Sequence, residues 1–322
     1  MKTKPHTTVS LTPQGSYAFG LTLAYLRTSP SAIVERVTSH GFQRALDIGP
    51  GIVVAVERAT LSSSPEPLHV TLWGEDLSPE VVGRTVRHLT LMLTLAVDGQ
   101  PVESHLMTKD SVLAPLVQSY SGFRPVLLGS PWEALLWAVS GQLIGVQQAR
   151  IIRTRIALLG GRSLSARGQV LQLLPSPEWI ATHGVEPLRA VGLSMAKARA
   201  IVHCAAGITA GSLPWTDSPD ADRDDIPRAL QTVTGIGPWT AALVGLRGLG
   251  QLDTLPEGDA ALQAIVGQQS SPPSRLPASA LAAHGAVWAP YRGWATYLLW
   301  LQRQAQDTAI RAMSHSKERS MP

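Results

Sequence analysis

The stretch Leu230–Leu262 constrains the fold of this chain more than any other part of the sequence. It runs LQTVTGIGPWTAALVGLRGLGQLDTLPEGDAAL and predicts the end of one helix, a sharp turn through Gly235–Gly237 and a second helix. Pro238 falls in the first turn of that helix, where its missing N–H costs nothing. Glycines permit backbone conformations closed to other residues and leave the N–H groups at the helix start open to a phosphate. Ile236 is expected to fill the gap between the two helices.

The loop after the second predicted helix contributes a carboxylate, Asp259, within Pro-Glu-Gly-Asp. The order helix, Gly-Ile-Gly hairpin, helix and Pro-x-Gly-Asp loop resembles the helix-hairpin-helix DNA glycosylase superfamily. Trp239, at a position where some members carry lysine, makes the chain similar to the DNA-3-methyladenine glycosylase II branch. A lone Gly-x-Gly is usually only a helix cap, whereas the whole ordered string is far more specific.

Composition bounds the fold class and the partners without identifying either. With 322 residues, 44% of them hydrophobic and 16% charged, the chain has room for two or three globular domains with an ample core. A net charge of +4 permits a nucleic-acid partner, gripped locally rather than by a broad basic surface. The single cysteine, Cys204, excludes disulfides within the chain, a zinc site built from cysteines and the four-thiolate iron–sulfur cluster of some relatives.

Neither a membrane span nor an export signal is apparent. No apolar run approaches the roughly 18 residues that cross a bilayer. The N-terminal sequence MKTKPHTTVS lacks the apolar segment of a signal peptide. We therefore expect a cytoplasmic protein with no membrane partner, and a monomer.

Residues 1–110 are predicted to form a small α/β domain with an antiparallel sheet. A helix is expected over 29–39, with Ser29 as N-cap and Pro30 in its first turn. Turn residues then separate three strand-like runs: Phe42–Ile48, Gly51–Ala59 and Leu68–Trp73. A further helix begins near Pro79, with these apolar residues at helical spacing: Val82, Val86, Leu89 and Leu93. This domain matches the accessory N-terminal domain that the resemblance implies.

Helices replace strands from about residue 110 onward. The segment Ser130-Pro131-Trp132-Glu133 predicts a helix start, with a Ser/Glu capping box and proline at the first position. Residues 161–177 are expected to be a loop, and the C-terminal residues, rich in Ser, Lys and Arg, a frayed tail. The expected fold is α+β, with an accessory domain over 1–110, a helical glycosylase region over 111–307 and a flexible tail over 308–322.

A wedge residue is predicted where one helix gives way to the next. A glycosylase must swing its base out of the duplex into a pocket. Gly141–Ile144 resembles the tetrapeptide with which this family probes the duplex. Leu143 is the candidate wedge that fills the vacated space, and Gln142 flanks it. The alternative is a helix junction interrupted by polar residues.

The hairpin is the candidate anchor for the DNA backbone. The resemblance assigns this contact to Gly235, Ile236 and Gly237, together with Thr240. It also implies a monovalent cation held by hairpin carbonyls, and no other cofactor. In this sequence those carbonyls belong to Gln231, Val233 and Ile236.

Asp259 is the candidate catalytic residue. Breaking the N-glycosidic bond builds positive charge on the sugar, so a carboxylate placed beside C1′ lowers the barrier and can orient the attacking water. The alternative is that Asp259 only caps the helix that begins at Ala260, and both can hold together. Asp253 and Glu257 are expected to be solvated acids of the same loop.

Trp239 and Trp300 are the candidate walls of the base pocket, with Tyr25 as a third. An N3- or N7-alkylated purine carries a positive charge, which favours an aromatic face. Relatives that also nick the strand use a lysine where Trp239 stands, and an indole cannot form a Schiff base. Leu243 replaces a tyrosine of the best-known member, which leaves the substrate range open.

The sequence as a whole predicts a monofunctional DNA glycosylase that excises alkylated bases of the 3-methyladenine type from damaged double-stranded DNA, in base excision repair. One alternative is a glycosylase for oxidised purines, which normally uses the lysine that is absent here. The other is a non-catalytic helix-hairpin-helix protein that binds distorted DNA. Asp259 separates them, because a binding module has no use for a carboxylate at that position.

Overall fold

A computed structural model of the protein describes residues 6–28, 33–58, 63–64, 66–218, 220, 222–268 and 273–319. The strands in these residues are β1 His6–Leu11, β2 Tyr17–Ala18, β3 Glu35–Val37, β4 Gly41–Leu46, β5 Ile52–Glu57, β6 Ser63–Ser64, β7 Leu68–Gly74, β8 Ser163–Ala166 and β9 Gln169–Gln172. The α-helices are α1 Phe19–Arg27, α2 Pro79–Met92, α3 Gly99–Lys109, α4 Ala114–Ser119, α5 Pro131–Gly141, α6 Val146–Leu159, α7 Pro177–His183, α8 Val185–Ala190, α9 Met195–Thr209, α10 Ile226–Leu230, α11 Pro238–Val244, α12 Ala260–Gly267, α13 Ala278–Gly285 and α14 Arg292–Arg319. A π-helical turn over Gly245–Leu249 continues α11, and a 3₁₀ turn over Ala286–Trp288 follows α13.

A five-stranded antiparallel sheet of order β1-β7-β5-β4-β3 forms the N-terminal part of the fold. Its central strand β5 is apolar on both faces because both faces are covered. Ile52, Val54 and Val56 join the core formed with the helices, while Val53 and Ala55 face the hairpin β8–β9. The predicted fold class, an antiparallel sheet followed by a helical region, is confirmed.

The three predicted strands are confirmed as β4, β5 and β7, with ends shifted by at most two residues. The helix expected over 29–39 is wrong over Glu35–Val37, which forms β3. Its expected cap, Ser29 with Pro30, lies outside the described residues. Glu35 lies opposite Arg44 on β4, and the buried ion pair between them stabilises the strand. Local periodicity gives no information about such a partner on another strand.

The loop expected over 161–177 contains the hairpin β8–β9, which packs on the outer face of the sheet. Leu171 and Leu173 bury there against Trp73. Two ion pairs hold the hairpin in place: Arg162 with Asp47 and Arg167 with Glu57. The prediction failed because each of these strands is only four residues long and half of its residues are polar. The apolar face that they cover belongs to a distant part of the chain.

The predicted start of α5 is confirmed, and it joins the sheet to the helices. The Ser130 hydroxyl accepts a hydrogen bond from the Glu133 amide at 3.0 Å, as a capping box requires. The Glu133 carboxylate instead accepts from the Gly129 amide and pairs with the buried guanidinium of Arg44. Arg44 therefore binds a carboxylate of β3 and one of α5 at the same time.

Two large hydrophobic cores support the helical region. One joins the sheet to α2, α3, α12 and α14, and the other packs α5, α6, α9 and α10 together. The first core draws residues from both sides of position 110, so the domain boundary expected there stays a prediction. The buried face of α2 is rotated slightly from the expected one and consists of Val81, Thr85, Leu89 and Met92. None of the helices in the described residues is long and apolar enough to span a bilayer.

Candidate active site

The helix–turn–helix predicted from Gly-Ile-Gly is present between α10 and α11. Gly235 has a φ of +95°, and a Cβ there would lie 3.0 Å from the Ala200 Cβ on α9, so both conformation and space require glycine. Ile236 is buried in the core between the helices, as predicted. Gly237 is exposed with open space around its Cα. The hairpin thus presents bare backbone at the surface, beside the start of α11.

The two oxygens of the Asp259 carboxylate lie in different surroundings, which correspond to the two roles that the sequence left open, helix capping and catalysis. Oδ1 accepts hydrogen bonds from the amides of Ala261 and Leu262, at 3.1 and 3.0 Å, and so caps α12. Oδ2 lies 3.4 Å from the indole nitrogen of Trp239. The half-buried carboxylate is therefore fixed by one oxygen at a helix N-terminus, which favours its negative charge, and faces Trp239 with the other.

The loop before Asp259 is fixed from both sides. A Cβ on Gly258 would lie 3.3 Å from the Trp239 Cβ, so the glycine lets the loop press against the tryptophan. Asp253, expected to be solvated, instead accepts two hydrogen bonds from the Arg292 side chain of α14 at 2.9 and 2.8 Å. Hydrogen bonding to Arg292 lowers the pKa of Asp253. Glu257 is exposed, as expected.

The aromatic residues near the site form two layers. Trp300 is half-buried and lies edge-on to Tyr297, with 5.4 Å between ring centroids. Tyr25 is buried at 4% exposure and packs on Tyr297 at 5.6 Å, one ring behind Trp300. In the described part of the chain the rings of Trp239 and Trp300 do not contact each other. Tyr25, predicted as a third wall of the base pocket, is therefore buried behind Tyr297 rather than facing solvent.

Sequence reasoning missed a buried arginine beside Trp300. The guanidinium carbon of Arg247, in the π-helical turn, lies 4.1 Å from the ring centroid of Trp137 and 5.7 Å from that of Trp300. Arg153 contacts Trp137 as well, at 3.8 Å. The helical spacing of Trp137 predicts core filler, but the residue is half-buried and has the guanidinium groups of Arg153 and Arg247 over its ring. No local signal marks this cluster, since its members come from α5, α6, the π-helical turn and α14.

The predicted wedge, Leu143, projects wholly into solvent, with a relative exposure of 104% and a φ of +55°. It follows the end of α5 and does not extend that helix's apolar face. The neighbouring Gln142 side chain donates to the Gly235 carbonyl at 3.1 Å and to the Thr240 hydroxyl at 2.9 Å. Thr240, whose contact with DNA stays a prediction, is buried at 2% exposure, and its hydroxyl accepts the hydrogen bond from Gln142. Hydrogen bonds from Gln142 therefore connect the residue next to the wedge with the hairpin.

Comparison with known proteins finds DNA glycosylases of similar sequence and fold, although no family model matches the chain. The DNA-3-methyladenine glycosylase 2 of Escherichia coli is 26% identical over 289 residues, which cover 89% of this chain and 94% of that protein. The solved 3-methyladenine DNA-glycosylase of Archaeoglobus fulgidus has a TM-score of 0.77 at 21% identity, covering 91% of this chain and 97% of that one. The 8-oxoguanine glycosylase/lyase of Clostridium acetobutylicum, solved with double-stranded DNA, has a TM-score of 0.69 at 14% identity, covering 93% and 98%. In sequence and fold, this chain is similar to the helix-hairpin-helix DNA glycosylases, and within them to the DNA-3-methyladenine glycosylase II branch.

Two positions of this chain bear on the reaction that the resemblance implies. Trp239 stands directly before Thr240, at the position where the resemblance places the lysine of strand-nicking relatives. Leu243, one turn later, is buried at 1% exposure, so its side chain belongs to the interior of the protein. The residue that replaces the tyrosine of the best-known member therefore offers no polar group to a base.

The hairpin carbonyls fit the monovalent cation that the superfamily implies. Those of Gln231 and Ile236 accept no hydrogen bond from the described residues, and that of Val233 accepts one, from the Ile236 amide at 3.0 Å. Neutral oxygens with free lone pairs suit a hard cation. The cation itself stays a prediction.

Proposed function

We propose that this protein is a monofunctional glycosylase that excises alkylated bases from double-stranded DNA in base excision repair. The observation that carries the proposal is the Asp259 carboxylate, with one oxygen fixed as a helix cap and the other facing Trp239. The glycosylase relatives described above support the reaction class. Wedge, hairpin and carboxylate all come from one chain, so we propose that it acts as a monomer, in the cytoplasm.

The first step is extrusion of the damaged base. The exposed Leu143 enters the space that the base leaves, which offsets part of the cost of unstacking. The amides of the exposed Gly235 and Gly237, before the start of α11, hold a backbone phosphate on the same face. A cation on the carbonyls of Gln231, Val233 and Ile236 would add positive charge there.

The second step breaks the bond between C1′ and the base. The bonding electrons leave with the base, which neutralises a cationic N3- or N7-alkylated purine, and positive charge develops on the sugar. Oδ2 of Asp259 stabilises that charge, because the carboxylate is held in place and half-buried. Water then adds its oxygen to C1′, and its released proton passes to the carboxylate or to solvent.

Tryptophan rings suit a flipped base, and the charge on Arg247 changes how strongly they attract a cationic base. The faces of Trp239 and Trp300 attract a cationic purine. Arg247, 5.7 Å from the Trp300 ring centroid, stays protonated and opposes a cation at that wall. Neutral damaged bases therefore belong in any substrate panel.

The reaction ends with an uncleaved abasic site. A lyase step needs an amine at C1′, and Trp239 supplies none. Lys197, the lysine that the sequence left open as a distant substitute, donates to the Gln142 carbonyl at 2.6 Å and is engaged at the wedge.

A base-release assay on duplexes that each carry one lesion tests the proposal. The panel contains 3-methyladenine, 7-methylguanine, hypoxanthine and 8-oxoguanine, and the Asp259→Asn variant is the blank. Release of alkylated purines with an intact strand is the expected result. Release of 8-oxoguanine with strand nicking would favour the oxidised-purine alternative. Tight binding without release of any base would favour a binding protein.

A further inference from the structure

The wedge residue, Leu143, has a backbone conformation that its own side chain does not stabilise. We call residues 142–145 the wedge loop. Leu143 lies in the left-handed region, with φ +55°, which is unfavourable for leucine. Because its side chain is wholly in solvent, no packing contact compensates for this backbone strain. The loop must therefore be fixed through its neighbours.

Two cations bind the backbone on which the wedge loop rests. The last carbonyls of α5 have no partners within the helix. The Lys197 amine donates to the carbonyls of Gln142 and Ser140, at 2.6 and 3.2 Å. Arg153 donates to the Trp137 carbonyl at 2.8 Å and to the Ser140 hydroxyl at 3.0 Å. Positive charge at a helix C-terminus is favourable, and hydrogen bonds from charged donors are the strong ones.

Lys197 is suited to this contact by its place on α9. The Ser194 hydroxyl caps that helix, which fixes the backbone from which Lys197 extends. Burial, and then the neighbouring Arg153, lower the pKa of Lys197. The bond to Gln142 also reaches the hairpin, since the Gln142 side chain binds Gly235 and Thr240.

We propose that Lys197 is a positioning residue for base flipping, which holds the wedge loop in its extruding conformation by binding the carbonyls of Ser140 and Gln142. This inference rests on the proposed glycosylase function. It assigns Lys197 to the flipping step and not to bond cleavage. Loss of its charge should therefore matter only when the base must be pulled from an intact stack.

The test is single-turnover excision by Lys197→Met on two substrates. One is a fully paired duplex, and the other carries the lesion opposite an abasic site, where flipping costs less. We expect Lys197→Met to slow excision by about tenfold or more on the paired duplex and to approach the wild-type rate on the second substrate. Leu143→Ala should show the same pattern, and the double variant should be no slower than Leu143→Ala alone. Lys109→Met, which removes an exposed lysine at the end of α3, is the matched control and should be unchanged on both substrates.

Equal slowing on both substrates, or multiplied effects in the double variant, would overturn the inference. A salt dependence of binding that weakens by about one phosphate contact in Lys197→Met would also overturn it, in favour of a direct DNA contact. Thermal unfolding checks the fold, and Lys197→Gln replaces Lys197→Met if the methionine variant is destabilised. If the wild type releases no base, the proposed function fails. The positioning role is then tested with 2-aminopurine placed beside an abasic site, because flipping increases the fluorescence of 2-aminopurine.

Discussion

Replacing Asp259 by asparagine removes one charge from the site and leaves the helix cap in place. Asparagine caps helices about as well as aspartate, so its carbonyl oxygen can keep the bonds to Ala261 and Leu262. The lost interaction with the α12 dipole is worth about 0.3–1 kcal/mol. We therefore expect the melting temperature to fall by less than about 4 °C.

The effect on catalysis should be far larger than the effect on stability. Unit charges about 4 Å apart interact by about 4 kcal/mol at an effective dielectric constant of about 20. Only part of the sugar's charge has developed in the transition state, and about 1.4 kcal/mol corresponds to tenfold in rate. We expect Asp259→Asn to slow excision by about 10²- to 10³-fold, with DNA affinity unchanged or slightly higher.

Single-turnover release from a duplex with one 7-methylguanine measures this loss, and fluorescence anisotropy measures affinity. Glu257→Gln is the matched control, because it removes the same charge from an exposed position in the same loop. It should retain the wild-type rate. An Asp259→Asn variant that is folded and within about tenfold of wild type would refute the electrostatic role of this carboxylate.

Three further predictions concern the wedge, the product and the buried ion pairs. Leu143→Ala should weaken binding to an abasic-site duplex by about tenfold and leave the melting temperature unchanged. A large drop in the melting temperature would show instead that Leu143 contributes to the core. With Trp239 in the lysine's place, borohydride should trap no enzyme–DNA adduct and gels should show an uncleaved strand; a trapped adduct contradicts the monofunctional mechanism. Arg44→Met should lower the free energy of unfolding by about 3–5 kcal/mol in urea titrations, because Glu35 and Glu133 lose a shared buried cation, and a loss below about 1 kcal/mol would show that the pairs contribute little.

The chain's own sequence determined the features whose causes lie within a few residues. The Gly-Ile-Gly turn, the proline at the start of α11 and the Asp259 cap each depend on local backbone geometry. The apolar strands β4, β5 and β7 also follow from local composition. These features carry the family resemblance, which is why the fold class and the candidate carboxylate could be predicted.

Tertiary structure alone decided what depends on partners distant in sequence. Glu35 lies in a strand because it pairs in the interior with Arg44, which also binds Glu133, and β8–β9 packs on the outer face of the sheet. The same holds at the site. The buried Thr240 hydroxyl accepts a hydrogen bond from Gln142, 98 residues away in sequence, and Lys197 binds a carbonyl 55 residues away. Local periodicity shows which residues can be buried or exposed, but the partner of a buried charge or an unsatisfied carbonyl is fixed only when the whole chain has packed.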